Sequence, residues 1–252
     1  MENTRIIPLL HIKGPNVVKP IHTEALRVVG NPKELAERYY EEGADELIYL
    51  DIVASLYQRN LDFELLKSVA KDVFVPFTVG GGIRTIADIN NALHVGADKV
   101  AINTHAVRNP EFLKEAVHHF GSQSIVLYVE AKKVGEKKWE AYTDGGRERS
   151  GVDVIEWVKK AISLGVGEIL VTSIDRDGTR KGYELELIEE ISKIAPIPVI
   201  AHGGAGEMQS FKEALKSARA DAVAASSVFH YKDYSIKDAK KYLNKNNLKV
   251  RI

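Results

Sequence analysis

Residues 43–52 read GADELIYLDI, and residues 165–174 read GVGEILVTSI, a second copy of the same pattern. Each copy is a short, almost uniformly apolar run, which is typical of a parallel strand that is covered on both faces. Further along the chain, residues 75–83 (VPFTVGGGI) match residues 197–206 (IPVIAHGGAG) at the same offset. Because the matches occur in the same order, the sequence predicts a fold built from two equivalent halves.

The rest of the chain continues an alternation of apolar strands and amphipathic helices. The predicted strands are 5–12, 46–52, 75–79, 99–102, 124–131, 168–173, 198–201 and 222–225. The predicted helices are 32–42, 63–71, 86–94, 110–120, 154–164, 185–194, 210–217 and 236–243. Such strict alternation favours an α/β fold, the (β/α)8 TIM barrel, here made of two (β/α)4 half-barrels. No linker or low-complexity segment interrupts it, so we expect one barrel domain over residues 1–252.

The composition narrows the possible classes of function. Lysine plus arginine (35) balances aspartate plus glutamate (35), so no overall field favours nucleic acid or an anionic membrane. The chain has no cysteine, which excludes disulfides, thiolate metal sites and a cysteine nucleophile. The segment MENTRIIPLL does not read as a secretory signal, and no run reaches the length of a membrane span. We expect a soluble, cytoplasmic protein with neither a nucleic-acid nor a membrane partner.

Two residues at equivalent strand ends are the first candidates for chemistry. Residues 5–13 (RIIPLLHIK) match residues 125–132 (IVLYVEAK), so His11 in one half stands where Glu130 stands in the other. In barrels of this kind the active site lies at the carboxyl ends of the strands. We therefore expect His11 and Glu130 to face each other across the barrel mouth. A histidine with the ordinary pKa of about 6.5 is mostly neutral near pH 7.

Two glycine clusters, residues 80–82 and 203–206, follow equivalent strands. Glycine lets the backbone approach an anion and direct its amide groups at it. The neighbouring strand ends carry short polar side chains, and tight turns alone are the alternative explanation for the glycines. Two clusters favour two phosphate sites, and hence a substrate with a phosphate at each end. The predicted phosphate-binding residues are Gly81, Gly82, Asn103, Thr104, Gly178, Gly203, Gly204, Ser226 and Ser227.

Further charged residues are expected at the mouth. Asp177 follows the sixth predicted strand and precedes Gly178, which favours a catalytic or ligand-binding carboxylate over a simple turn former. Lys19 lies in the long loop 14–30, which is long enough to act as a lid over the mouth.

Several motifs resemble the cyclase subunit of imidazole glycerol phosphate synthase and its paralogues from sugar-amidation clusters, over essentially the whole chain. The matching motifs are RIIPLLHIK, DELIYLDI, FTVGGGI, ADKVAINT, FGSQSIV, GEILVTSIDRDGT, IAHGGAG and SVFH. The resemblance implies that a glutaminase partner makes ammonia, which passes through the barrel to a phosphorylated small molecule at the mouth. It also implies an ammonia gate, a ring of alternating charges at the other end, formed by Arg5, Glu46, Lys99 and Glu168. The simpler interpretation is that these four charged residues only neutralise one another at the floor of the barrel.

The same resemblance marks where this chain departs from the family. Two aspartates do the acid–base work of the synthase, and here His11 and Glu130 stand in their places. Other unusual residues near the mouth include Tyr128, which puts an aromatic ring inside it, and His202, which precedes the second glycine cluster. The predicted catalytic residues are His11, Glu130, Asp177, Lys19, Tyr128 and His202.

We therefore expect an enzyme of the lyase or cyclase type, altered from the parent reaction and requiring no cofactor or metal. One alternative is an engineered barrel with a rebuilt mouth that catalyses proton abstraction, such as Kemp elimination. A second alternative is a non-catalytic barrel that binds a phosphorylated ligand or scaffolds a glutaminase.

Overall fold

The computed structural model describes residues 4–251, apart from the side chain of Ala25, and contains twelve strands and ten α-helices in that range. The strands are β1 (Arg5–Lys13), β2 (Asn16–Ile21), β3 (Glu24–Gly30), β4 (Leu47–Asp51), β5 (Phe77–Gly80), β6 (Lys99–Ile102), β7 (Ile125–Gly135), β8 (Lys138–Thr143), β9 (Glu148–Asp153), β10 (Glu168–Ser173), β11 (Val199–His202) and β12 (Ala222–Ala225). The helices are α1 (Pro32–Glu41), α2 (Phe63–Ala70), α3 (Ile86–His94), α4 (Thr104–Arg108), α5 (Glu111–Phe120), α6 (Val154–Ser163), α7 (Leu185–Ile194), α8 (Met208–Lys212), α9 (Ser227–His230) and α10 (Ile236–Lys245).

Eight of the strands form a closed parallel barrel. Its order is β1, β4, β5, β6, β7, β10, β11 and β12, and β12 pairs with β1 to close the ring. The predicted α/β barrel is therefore confirmed. Each predicted barrel strand begins and ends within two residues of an observed one, except that β7 continues four residues beyond the predicted end at residue 131. The ends of the predicted domain, residues 1–3 and 252, lie outside the described part of the chain.

Five of the ten helices, among them α1 and α3, follow a residue whose side chain accepts a hydrogen bond from the first turn. The side chain of Asn31 accepts from the backbone N–H of Lys33 and Glu34 at the start of α1, and Pro32 is its first residue. Thr85 and Asp88 form a reciprocal capping pair at the start of α3. Among the described residues, no helix is both long and apolar enough to cross a membrane.

Two β-hairpins were not predicted. The segment 14–30, expected to be a loop, contains β2 and β3, and β8 and β9 follow the equivalent barrel strand β7. The turn between β2 and β3 is His22-Thr23, and both residues have positive φ angles (51° and 63°). A mirror-image hairpin turn usually carries asparagine or glycine. The sequence therefore gave no signal of a hairpin here.

The apolar core has two layers. The larger layer lies between the barrel and the surrounding helices, and the smaller one fills the barrel interior. Alternate side chains of every barrel strand except β5 supply the interior layer. The interior residues are Ile7, Leu9, Ile48, Leu50, Ala101, Val126, Tyr128, Leu170, Ile200, Ala222 and Ala224.

A closed ring of ion pairs forms the floor of the barrel. Arg5 donates to Glu46 at 2.8 Å and to Glu168 at 2.7 Å. Lys99 lies 3.1 Å from Glu46 and 2.8 Å from Glu168, so each cation contacts both carboxylates. The hydroxyl of Thr78 also donates to Glu46 at 2.7 Å. The charges are therefore mutually neutralised at the amino end of the strands.

Candidate active site

The two glycine loops have the same backbone geometry. Gly81 and Gly203, which are equivalent in the repeat, have φ angles of +100° and +92°. A Cβ atom at Gly81 would lie 2.2 Å from the carbonyl oxygen of Asp51, and one at Gly203 would lie 2.8 Å from that of Ser173, the residue equivalent to Asp51. Only glycine fits at either position. These glycines are thus needed for folding, whatever ligand their amide groups bind.

A large cavity, which we call the first-half pocket, opens beside the first glycine loop. Its volume is about 370 Å3. It extends from Tyr128 and Glu130 inside the mouth to Arg84 and Arg108 at the rim. The other lining residues include Leu50, Asp51, Ser55, Leu56, Gln58, Gly81, Gly82, Ala101, Asn103, Thr104, His105, Asp144, Gly145 and Glu148.

The rim of the first-half pocket carries two arginines, Arg84 and Arg108. The guanidinium of Arg84 donates to the backbone carbonyl of Gln58 at 2.8 Å and to the side-chain oxygen of Asn60, which are both neutral acceptors. Arg108 is paired with Asp144 and is 59% exposed. Partial burial, followed by the charges of these two arginines, lowers the pKa of His105. An anion at this rim would thus meet an uncompensated guanidinium.

Two polar side chains in the first-half pocket have unused hydrogen-bonding capacity among the described residues. The Nδ2 of Asn103 donates to Glu130 at 2.8 Å and to the carbonyl of Tyr142 at 2.9 Å, and the second bond fixes its orientation because a backbone carbonyl only accepts. Its Oδ1 is buried and has no partner. The hydroxyl of Thr104 accepts from the backbone N–H of Asp144 at 2.9 Å, and its own proton remains available.

Burial brings the pKa of the Glu130 carboxyl group close to neutrality. Burial raises the pKa of Glu130 to about 7. Hydrogen bonds from Tyr128 (3.2 Å), the N–H of Gly146 (3.0 Å) and Asn103 offset only part of this effect. Both protonation states are therefore populated near pH 7. A carboxyl group in this condition can act as a general acid or a general base.

His11 lies close to Glu130 but carries no charge near neutral pH. Both residues line a small cavity of about 10 Å3, together with Tyr128 and Asp177. Burial, and then the charge of Lys19 nearby, lowers the pKa of His11 well below its ordinary value. Its Nδ1 is buried without a partner. A neutral imidazole here can donate or accept one hydrogen bond but cannot replace an anionic base.

The β2–β3 hairpin closes the opposite side of the mouth. It inserts Lys19 beside Asp177, and the Nζ–Oδ1 distance is 2.8 Å with both side chains almost completely buried. The N–H of His22 also donates to the carbonyl of Asp177 at 3.0 Å. At Gly178, a Cβ atom would lie 2.6 Å from the carbonyl oxygen of Pro20. The hairpin thus packs tightly against the segment that follows β10.

Beneath the hairpin lies the second-half cradle, the small cavity lined by Lys19, Asp177, Gly203, Gly204, Ser226 and Ser227. Its volume is about 10 Å3. The Ser226 hydroxyl donates to the carbonyl of Leu9 at 2.8 Å, so it must accept from Nε2 of His202 at 3.3 Å. The Nδ1 of His202 can then accept from Thr172 at 2.9 Å. Burial lowers the pKa of His202 to about 4, in agreement with this neutral form.

The structure brings the six predicted catalytic residues into one mouth, although in two groups. Glu130 and Tyr128 line the first-half pocket, whereas Lys19, Asp177 and His202 line the second-half cradle. His11 lies between the groups, with its ring 5.4 Å from that of His202. Arg5, Glu46, Lys99 and Glu168 lie at the other end of the strands, on the floor.

Sequence reasoning missed the arginines of the rim. Arg84 follows the first glycine loop, and Arg108 ends α4, the short helix that begins at Thr104. The sequence did contain a signal for both arginines, because each lies within about one helical turn of a predicted phosphate-binding residue. Among residues 4–251, no group of three or more histidine, aspartate or glutamate side chains is placed to hold a metal ion.

Comparisons with known proteins agree with this architecture. The family model described as "Histidine biosynthesis protein" matches residues 5–235. Imidazole glycerol phosphate synthase subunit HisF of Legionella pneumophila is 54% identical over 211 residues, covering 84% of this chain and all of that protein. The subunit of the same name from a Hydrogenobaculum species is 50% identical over 248 residues, 98% of each chain.

Proposed function

The chain belongs to the histidine biosynthesis protein family and is a relative of the HisF subunits, and we propose that it is a cyclase-type enzyme that uses ammonia on a phosphorylated substrate. The observation that carries the proposal is Glu130, whose pKa is about 7, at the inner end of a pocket whose outer end includes the guanidinium of Arg84. We also propose a cytoplasmic location, as the sequence led us to expect.

The first-half pocket suits a molecule with one reactive end and one anionic end. The anionic end would meet the backbone amides of the first glycine loop, the free hydroxyl proton of Thr104 and the guanidinium of Arg84. Charge-assisted hydrogen bonds of this kind are stronger than neutral ones and fix the position of the ligand. The reactive end would then lie against Tyr128 and Glu130.

In this arrangement Glu130 moves the protons. As the carboxylate it removes a proton from the attacking nitrogen or the substrate, and as the acid it returns one to a leaving group. The three donors that contact it hold its two oxygens in place. The neutral ring of His11 orients the substrate by a hydrogen bond from or to its free Nδ1.

A glutaminase partner is the proposed source of ammonia. The ring of Arg5, Glu46, Lys99 and Glu168 closes the floor, and it is the proposed gate through which ammonia enters. Neutral ammonia can cross the apolar interior of the barrel, whereas ammonium would lose its hydration there. Displacement of one cation of the ring would break two ion pairs and open the floor.

The position of His11 supplies the test. We expect the wild type to show turnover that depends on ammonium chloride. The variant His11→Asp should form imidazole glycerol phosphate from the synthase substrate at least about 10-fold faster than the wild type does. Restoring an anionic carboxylate opposite Glu130 supplies the second acid–base group.

Other results would contradict this proposal. Elimination of a nitrobenzisoxazole by the wild type, without any ammonium-dependent turnover, would support the proton-abstraction alternative. Phosphate binding without turnover of any kind, in either protein, would support the non-catalytic alternative.

A further inference from the structure

Tyr128 stands at the boundary between two cavities of the mouth. It belongs to the apolar layer inside the barrel and is 8% exposed. Together with Glu130 it lines both the first-half pocket, of about 370 Å3, and the small cavity beside His11, of about 10 Å3. Burial raises the pKa of the Tyr128 hydroxyl well above its ordinary value, so this group keeps its proton at neutral pH. The hydroxyl is therefore a neutral neighbour of Glu130 that can both donate and accept a hydrogen bond.

The two carboxyl oxygens of Glu130 have different partners. Oε2 accepts two N–H bonds, from Nδ2 of Asn103 at 2.8 Å and from the backbone of Gly146 at 3.0 Å. Oε1 accepts one bond, from the Tyr128 hydroxyl at 3.2 Å. Because an N–H group can only donate, both lone pairs of Oε2 are occupied whether or not the carboxyl group is protonated. A proton on this group therefore belongs on Oε1, whose partner is a hydroxyl that can turn.

The Tyr128 hydrogen has a second acceptor when Glu130 is protonated. Thr172 is also a hydrogen-bonding neighbour of Tyr128. The Thr172 hydroxyl lies 2.9 Å from Nδ1 of His202, and it donates there because the Nε2 proton of His202 is directed at Ser226. The Thr172 oxygen can therefore accept from Tyr128. In one orientation the Tyr128 hydroxyl donates to the carboxylate, and in the other it accepts from the carboxylic acid.

We propose that Tyr128 is a positioning residue that directs the labile proton of Glu130 to Oε1, so that this oxygen, and not Oε2, exchanges protons with the substrate. The proposal rests on the proposed function in taking Glu130 as the acid–base group. As a base, Oε1 forms an O–H bond with a proton of the attacking nitrogen, and the electrons of the broken N–H bond stay on nitrogen. As an acid, the O–H bond breaks, its electrons stay on Oε1, and the proton passes to the leaving group. The Tyr128 hydroxyl turns in each step and keeps its own proton.

Other charged and titratable groups lie close to Glu130. His11 and Asp177 line the same small cavity, where His11 is uncharged and Asp177 is paired with the lysine of the β2–β3 hairpin at 2.8 Å. Burial raises the pKa of Glu130, and its hydrogen bonds and then the charge of Arg147 lower it in part. The variant Tyr128→Phe leaves all of these groups in place. A change in the titration of Glu130 in this variant would therefore report the loss of one hydroxyl.

Titration of Glu130 by 13C NMR, in the intact glutamate-labelled protein, tests the role of that hydroxyl. Its hydrogen bond favours the carboxylate over the acid, so Tyr128→Phe should raise the pKa of Glu130 by about half a unit or more. Tyr49→Phe is the matched control, because Tyr49 is also a buried tyrosine of a barrel strand but lies in the outer apolar layer. It should leave the pKa unchanged. The same midpoint in the wild type and in Tyr128→Phe would overturn the proposal.

Infrared difference spectroscopy of the same labelled protein shows which oxygen carries the proton. The C=O band of protonated Glu130 is the one that Glu130→Gln removes. A proton on Oε1 leaves Oε2 as the carbonyl oxygen, which keeps both of its N–H bonds, so Tyr128→Phe should not move this band. A proton on Oε2 would make Oε1 the carbonyl oxygen, and loss of the Tyr128 bond would shift the band to higher frequency. That shift would also overturn the proposal.

Turnover separates this proposal from the proposed function. With ammonium chloride and the synthase substrate, Tyr128→Phe should lower kcat by about 10-fold and change KM by less than about threefold, and the midpoint of its pH profile should rise with the pKa of Glu130. A wild type that gives the expected NMR and infrared results without any turnover would overturn the proposed function and leave the position of the proton intact. Wild-type turnover that Tyr128→Phe does not alter would leave the proposed function intact and overturn the role of Tyr128.

Discussion

The two halves of the barrel mouth share a backbone and differ in their side chains. Gly81 and its repeat equivalent Gly203 have similar φ angles (+100° and +92°), and each lies against the carbonyl oxygen of the last residue of a neighbouring strand. Yet one loop borders a cavity of about 370 Å3, and the other borders one of about 10 Å3. The comparison teaches that the repeat determines where the loops turn, whereas side chains such as Lys19 of the β2–β3 hairpin determine how much space is left beside each loop.

The largest expected effect concerns catalysis by the first half. Glu130→Gln should lower kcat for ammonium-dependent turnover by about 10²–10⁴-fold, since general acid–base catalysis contributes on this scale. Steady-state kinetics with the phosphorylated substrate would measure it. Glu148→Gln is a matched control, because Glu148 lines the same pocket, is exposed and should change kcat by less than about threefold. Equal losses in both variants would contradict the role of Glu130.

The next largest effect tests whether the two glycine loops require the same backbone conformation. Gly81→Ala and Gly203→Ala should each lower the free energy of unfolding by about 3 kcal/mol or more, because a Cβ at either site meets a carbonyl oxygen at a positive φ. Urea denaturation would measure both. Gly43→Ala is the control: its φ is +85° but nothing lies within 4 Å of the added Cβ, so it should cost about 1 kcal/mol. A large loss at only one of the two loops would show that they are not equivalent.

The smallest expected effect concerns the pH dependence of the unfolding free energy, which the buried groups His202 and Glu130 change in opposite directions. The folded pKa of His202 is about 4 against 6.5 unfolded, so the unfolded state binds more protons between these values and stability rises with pH there. For Glu130 the folded pKa is about 7 against 4.5 unfolded, so stability falls as pH rises from 4.5 to 7. Each slope is at most about 1.4 kcal/mol per pH unit.

Two variants separate these opposing slopes. Between pH 4.5 and 6.5, Glu130→Gln should steepen the rise of unfolding free energy with pH, and His202→Asn should flatten it. Urea denaturation at several pH values would measure both slopes. Unchanged slopes in either variant would contradict the burial-induced pKa shift of the residue replaced.

The sequence was a good guide to the framework of the mouth. The short apolar runs predicted all eight barrel strands. Both faces of those strands are buried, so almost all of their residues are apolar. The β2–β3 hairpin was missed, since the His22-Thr23 turn has none of the usual hairpin residues. That omission mattered, because this hairpin carries Lys19 into the second-half cradle.

Other features of the site depend on tertiary contacts that no local pattern reveals. The pKa of Glu130 results from burial and from donors on three different segments, those of Asn103, Tyr128 and Gly146. The charge of Arg84 is available only because its loop neighbours offer neutral acceptors. The difference in volume between the first-half pocket and the second-half cradle could likewise not be deduced from two similar glycine clusters.

The most direct test is the pKa of the Glu130 carboxyl group, measured by 13C NMR of glutamate-labelled protein with Glu130→Gln to assign the signal. The structure predicts a value of about 7, raised by burial. A titration midpoint near the ordinary glutamate value of about 4.3 would mean that the group is a permanent anion at neutral pH, and the acid–base role proposed for it would fail.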